Sequence, residues 1–129
     1  MTFLINQAIF ILINVLNAAN DAAKIRKDKD VDHFLNGVAY VLSIIVFILI
    51  FEMDFVYSLL FMVGCFCNRQ LTFDIPLNLM RKLKWDYVSP APTSWVDKLE
   101  VKLFGQNGDT PNIIYCLTFI ATLIIGSII

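Results

Sequence analysis

Four apolar runs, broken by short polar stretches, dominate the chain: Phe3–Ala19, Phe34–Phe51, Phe55–Cys67 and Ile113–Ile129. A helix crossing a bilayer needs about 20 residues, within a range of about 17–25. The second and fourth runs meet that length. The first meets it too, but carries Asn6, Gln7, Asn14 and Asn17. The third must extend through Asn68, Gln70 and Leu71, with Arg69 reaching outward to the headgroups. The pattern therefore predicts four crossing helices, over about residues 3–22, 33–51, 55–71 and 112–129.

Only Glu52, Met53 and Asp54 separate the second and third runs. Two acidic residues at mid-bilayer would be costly, so this stretch predicts a tight helical hairpin rather than one broken helix. Residues 72–111 read as an interfacial region. Pro76 can start a short basic amphipathic helix through "PLNLMRKLKW", and "YVSPAP" breaks it. A second helix follows over "TSWVDKLEVKLFG", with Ser94 as N-cap and Gly105 as terminator. Asp109 or Thr110 then caps the last helix, with Pro111 in its first turn.

The polar residues inside the apolar runs are not scattered. On a helical wheel with Asn14 at zero, Gln7 falls at about 20°, Asn17 at about 300°, Asp21 at about 340° and Lys24 at about 280°. With His33 at zero on the second helix, Asn36, Tyr40 and Ser43 fall at about 300°, 340° and 280°. Ser58, Cys65 and Arg69 lie within about 40° of one another on the third. Thr118, Thr122 and Gly126 repeat every four residues on the fourth, a spacing that lets helices approach closely. Hydrocarbon offers no hydrogen bonds, so these stripes are expected to face one another or trapped water.

Composition agrees with a membrane chain. Of 129 residues, 58% are hydrophobic and 16% charged, with mean hydropathy +0.71. A soluble domain carries about 45–50% apolar and about 25% charged residues. The expected fold class is all-α: a polytopic membrane protein forming a single membrane domain over residues 1–129. It has four transmembrane helices and an amphipathic interfacial segment between the third and fourth.

All ten basic residues lie after the first run or after the third. With four crossings these share one side, which the positive-inside rule makes cytoplasmic. Both termini then face away from the cytoplasm, in a membrane of the bacterial cytoplasmic type. A cleaved signal peptide is disfavoured, because no Lys or Arg precedes the first run and "NAAN" is a poor cleavage site. Net charge is −1 with no aromatic-interleaved basic patch, which argues against nucleic acid as a partner. Cys65, Cys67 and Cys116 lie in apolar runs and read as small buried hydrophobes. Cys65 and Cys67, two residues apart on one helix, point in roughly opposite directions and do not form a chelating pair.

The candidate chemistry clusters at the basic side: Asp21, Asp28, Asp32, His33, Asn36, Arg69 and Asp74. His33, the only histidine, can act as an acid–base group near neutral pH with Asp32 or Asp21 orienting its ring. Arg69 can grip a phosphate. The competing account is a set of solvated helix ends, with Asp32 as an N-cap. Metal-protease, nucleophile-elbow and P-loop signatures are absent from the sequence.

Two functions follow. The first is a non-enzymatic membrane protein that self-associates or joins a larger membrane complex. Its polar cavity or pore would be lined by Asn14, Asn17, Asp21, His33, Asn36, Tyr40 and Ser43, and no cofactor is expected. The second is an interfacial hydrolase or transferase for lipid or isoprenoid phosphates. It would work through His33, Asp32, Asp21 and Arg69, with a divalent metal possible.

Overall fold

The computed structural model describes the backbone of residues 2–27, 29, 31, 33–89, 95–106 and 108–129, and the side chains of all of these but His33, Trp95 and Val96. The described residues form no strand. They build α1 (Thr2–Ile25), α2 (His33–Ile50), α3 (Phe55–Arg69), a π-helical segment (Gln70–Asp74), α4 (Ile75–Met80), α5 (Trp95–Phe104) and α6 (Asp109–Ile128). Two helices, α1 and α6, are by themselves long and apolar enough to cross a membrane. A shorter apolar stretch covers Phe34–Ile50 of α2.

The hairpin at residues 51–54 forms as expected. Glu52 takes the left-handed conformation (φ 47°) that closes α2. Its N–H donates to Leu49 O at 3.3 Å and the Met53 N–H to Ile48 O at 3.2 Å, a Schellman termination. Asp54 then caps α3, its Oδ1 accepting from the Tyr57 N–H at 3.0 Å.

Pro76 does not break the chain. Helix α3 runs without interruption through the π-helical segment into α4. A proline lacks the N–H that would bond four residues back, and its ring crowds that carbonyl. The wider π turn just ahead of it absorbs both demands. Thr72 bends back in this turn, its hydroxyl donating to Asn68 O at 2.8 Å. The short amphipathic helix is correspondingly smaller than the sequence suggests. It ends at Met80 and packs Leu77 against Ala18 and Ala22 of α1.

The start of α6 also differs from expectation. Gly108 takes the cap position and offers no side-chain cap. A Cβ there would stand 2.0 Å from Asp86 O, so the close approach of the 86–88 backbone selects glycine. The expected N-cap of α5, Ser94, lies outside the described residues.

Helix α1 is the centre of the bundle, lying against α3, the π-helical segment, α4 and α6. Phe3, Phe10 and Phe61 fill its upper half, with Phe10 meeting Tyr40, Phe47 and Phe61 edge to face at 5.5–5.8 Å. Helices α3 and α6 pack closely where Gly64 faces Thr122, and α6 approaches α1 where Gly126 faces Phe3. Helix α2 is set apart. Among the described residues, no Cα of α2 comes within 8 Å of one in α1, and long side chains span the gap.

Candidate functional site

The polar side chains of α1 and α3 converge in the interior. Gln7, Asn14, Asp21 and Asn68 each expose 1% or less of their surface. Asn68 Nδ2 donates to Gln7 O at 3.2 Å and to Gln7 Oε1 at 3.3 Å. Gln7 Nε2 donates in turn to Phe61 O at 3.3 Å. The Thr72 hydroxyl shares its one proton between Asn68 O and Asn68 Oδ1, the latter at 2.7 Å, and accepts from Asn14 Nδ2 at 3.2 Å. Asn14 Nδ2 also reaches the Tyr40 hydroxyl at 3.4 Å, and Tyr40 donates to Cys65 O at 2.9 Å. One connected chain thus ties α1 to α2, α3 and the π-helical segment. Asn14 Oδ1 and Asn6 Nδ2 are buried and have no hydrogen-bond partner among the described residues.

One turn further along, Asn36 Nδ2 donates to Asp21 Oδ2 at 3.2 Å, and Lys24 Nζ lies 3.7 Å from Asp21 Oδ1. Asn36 and Tyr40 share a face of α2. The guanidinium of Arg69 covers the Tyr40 ring at 4.8 Å and the Phe73 ring at 4.2 Å. Asp21 and Arg69 therefore meet the same edge of α2 about one helical turn apart.

The other sequence candidates fall differently. Asn17 is exposed. Ser43 is also exposed, its hydroxyl donating to Ala39 O of its own helix at 2.8 Å. Each sits about 60° from the buried centre of its stripe, where a helix already turns outward. His33 opens α2, but its side chain, like Asp28 and Asp32, lies outside the described residues. Among the described residues, no three His, Cys, Asp or Glu side chains group as metal ligands.

Asp74 belongs to a second cluster, one that the sequence does not suggest. It lies where the π-helical segment, α5 and α6 meet, with Asp97 and Glu100 of α5 near it and Arg69 opposing them. The Tyr115 hydroxyl of α6 donates to Glu100 Oε1 in a short hydrogen bond. Burial, then the charge of Asp97, pushes the Asp74 carboxyl up to about 7. Arg69 pulls against this and Glu100 adds to it. Burial also raises Glu100, partly offset by the Tyr115 hydrogen bond.

Thr72 and the central role of Asn68 were missed in the sequence. The signal was present: Gly64, Asn68 and Thr72 repeat every four residues, one notch around the helix from the Cys65–Arg69 stripe. Among the described residues the interior is an amide–hydroxyl lattice joined at one end by the Asp21 carboxylate. Most of its donors and acceptors hold four helical segments in register, Asn14 Oδ1 and Asn6 Nδ2 being the exceptions. No protein-family model, curated protein or solved structure matches the chain.

Proposed function

We propose that the chain is a four-span membrane protein, non-enzymatic, that acts by assembling with copies of itself or with a larger membrane complex. The observation that carries this reading is the inversion of polarity. Gln7, Asn14 and Asn68 are fully buried, whereas Phe34, Leu42, Leu49 and Ile124 stand more than half exposed. A soluble bundle would leave far more apolar surface in water than monomers tolerate.

In this reading α1, α2 and α6 cross the bilayer, together with the third span over about residues 55–71. The third span ends near residue 71, and its helical continuation, with Asp74 and α4, lies at the interface. Residues 1–129 make one membrane domain, with the basic connections in the cytoplasm and both termini outside. Within a single copy Gln7, Asn14, Tyr40, Asn68 and Thr72 bond to one another. A conducting path would therefore run between copies, and the exposed apolar face of α2 is the surface on which they would meet.

Labelling single cysteines from the two sides of the membrane tests the topology. Lys27→Cys and Gln106→Cys should react from one side and Glu52→Cys from the other; labelling of residues 27 and 52 from the same side ends the four-span reading. Mass in mild detergent tests assembly. A strict monomer that copurifies with no stoichiometric partner ends that part.

A second reading, the interfacial enzyme for lipid or isoprenoid phosphates, draws on one feature. Asp21 is a carboxylate held in the interior by Asn36, three residues from His33. Buried carboxylates of this kind concentrate at functional sites. His33→Ala and Asp21→Asn variants that retain wild-type function at normal abundance would end it.

A further inference from the structure

The basic end of the bundle holds a groove of about 550 Å³ between the C-terminal ends of α1 and α4. Ile25, Arg26, Met80, Arg81 and Lys82 line it, and among the described residues no carboxylate does. Cations often gather at helix C-termini simply to offset exposed carbonyls. Here the last four carbonyls of α4 already have donors. Arg26 Nη2 donates to Met80 O at 2.7 Å. The Lys82 N–H donates to Leu79 O at 3.0 Å, the Leu83 N–H to Asn78 O at 2.9 Å, and the Arg81 N–H to Leu77 O at 3.1 Å. The exposed side chains of Arg81 and Lys82 are not needed for capping.

The geometry adds a reason for these two side chains to sit together. Lys82 holds a left-handed backbone (φ 61°), which turns the chain at the end of α4 beside Arg26, just past the end of α1. A lysine there forgoes the ease with which glycine adopts that conformation. Ile25 and Met80 supply an apolar floor. The groove thus joins a fixed guanidinium, a second guanidinium suited to bidentate phosphate recognition and an ammonium to a greasy base.

We propose that this groove binds the phosphate of an anionic phospholipid headgroup, with the glycerol and first acyl carbons against Ile25 and Met80. The proposal rests on the membrane reading above, which sets the basic side against the anionic cytoplasmic leaflet.

Native mass spectrometry of the full chain in mild detergent, titrated with phosphatidylglycerol or phosphatidylcholine, tests it. The wild type should prefer phosphatidylglycerol. Arg81→Gln combined with Lys82→Gly removes two charges while leaving a residue that suits the turn. It should weaken phosphatidylglycerol binding by about twenty- to thirtyfold, at about a factor of five for each of two basic residues near a membrane surface. Lys98→Gln with Lys102→Gln, on the exposed face of α5 and outside the groove, removes the same charge and should weaken binding much less than the groove variant does.

Equal binding of the two lipids by the wild type overturns the proposal. So does an equal loss in the α5 control. Displacement of phosphatidylglycerol by millimolar inorganic phosphate overturns the lipid assignment in favour of a free anion. Alkaline extraction of the same proteins from vesicles separates the two levels: a chain that washes off defeats the membrane reading, whereas an inserted chain without lipid preference defeats only the groove.

Discussion

Asn68 offers one side-chain amide to Gln7 twice, reaching the main-chain carbonyl at 3.2 Å and the side-chain carbonyl at 3.3 Å. The two residues are 61 positions apart, and both are buried. This pair pins α1 to α3 at the depth where the upper aromatic core gives way to polar side chains. Removing one partner strands the other, so the loss exceeds the worth of the bond itself.

Asn68→Leu should therefore destabilise the fold by about 1–3 kcal/mol, the cost of leaving buried polar groups unpaired. Removing both amides with Gln7→Leu and Asn68→Leu together should cost less than the sum of the two single changes. A double-mutant cycle on unfolding in mixed micelles would measure the coupling, expected at about 0.5–2 kcal/mol. Strict additivity would mean that the two amides act independently despite their contact.

Tyr40 carries two roles that separate cleanly. Its hydroxyl bonds Asn14 and Cys65 O, while its ring sits between Phe10 and the Arg69 guanidinium. Tyr40→Phe keeps the ring and should cost about 1 kcal/mol, a typical intramembrane hydrogen bond or slightly more. Tyr40→Leu loses ring contacts as well and should cost about 1–2 kcal/mol beyond that. Equal effects from both changes would place all of the energy in the hydroxyl.

Gly126 sets how closely α6 approaches α1, and Gly64 how closely α3 does. A Cβ on Gly126 would stand 2.6 Å from the Phe3 ring, and one on Gly64 would stand 2.6 Å from Gln7 Nε2. Phe3 is wedged edge-on against Tyr57 and Phe61, so its ring cannot retreat without breaking those contacts. Gly126→Ala should cost about 1–3 kcal/mol through overpacking, read as a fall in thermal midpoint in detergent. Gly37→Ala is the control, since a Cβ there meets nothing within 4 Å. If the control falls as far as Gly126→Ala, the loss is not steric.

How much of this was legible beforehand depends on which residues carried the signal. The Glu52–Asp54 hairpin was readable because charged residues in an apolar run have few places to go. Burial of Asn14 and Tyr40 followed from the same logic, as did that of Thr122 and Gly126. Asn17 and Ser43 belong to the same stripes, yet they face outward. A wheel gives direction but not the width of the contact, and a lone serine can satisfy itself on its own helix. Pro76 was read as the start of a separate short helix because a proline favours a first turn; the π turn that instead carries α3 on past it lies against α1, a contact that local sequence does not reveal. The meeting of Asp74, Glu100 and Tyr115 joins three elements far apart in sequence, and no local pattern announces it.

That last cluster yields a pH prediction. Burial and the nearby carboxylates of Asp97 and Glu100 lift Asp74 from its ordinary 3.8 to about 7, against the pull of Arg69. A carboxyl whose pKa is raised on folding binds its proton more tightly in the folded state. Its contribution is complete below about pH 4 and is lost as pH climbs through about 7. The rise spans about three pH units at about 1.4 kcal/mol each, an upper bound that partial exposure reduces. The thermal midpoint in detergent should thus fall between pH 5 and pH 8 in the wild type. Asp74→Asn mimics the protonated form, so its midpoint should vary less over that interval and exceed the wild type at pH 8. Tyr115→Phe removes the hydroxyl that Glu100 accepts from and should leave Glu100 harder to ionise, since that hydrogen bond favours its charged form. The pH-dependent fall should then persist in Tyr115→Phe and flatten only when Asp74 is also replaced. A wild-type midpoint that is flat from pH 5 to 8, or a slope untouched by Asp74→Asn, would remove Asp74 as the titrating group.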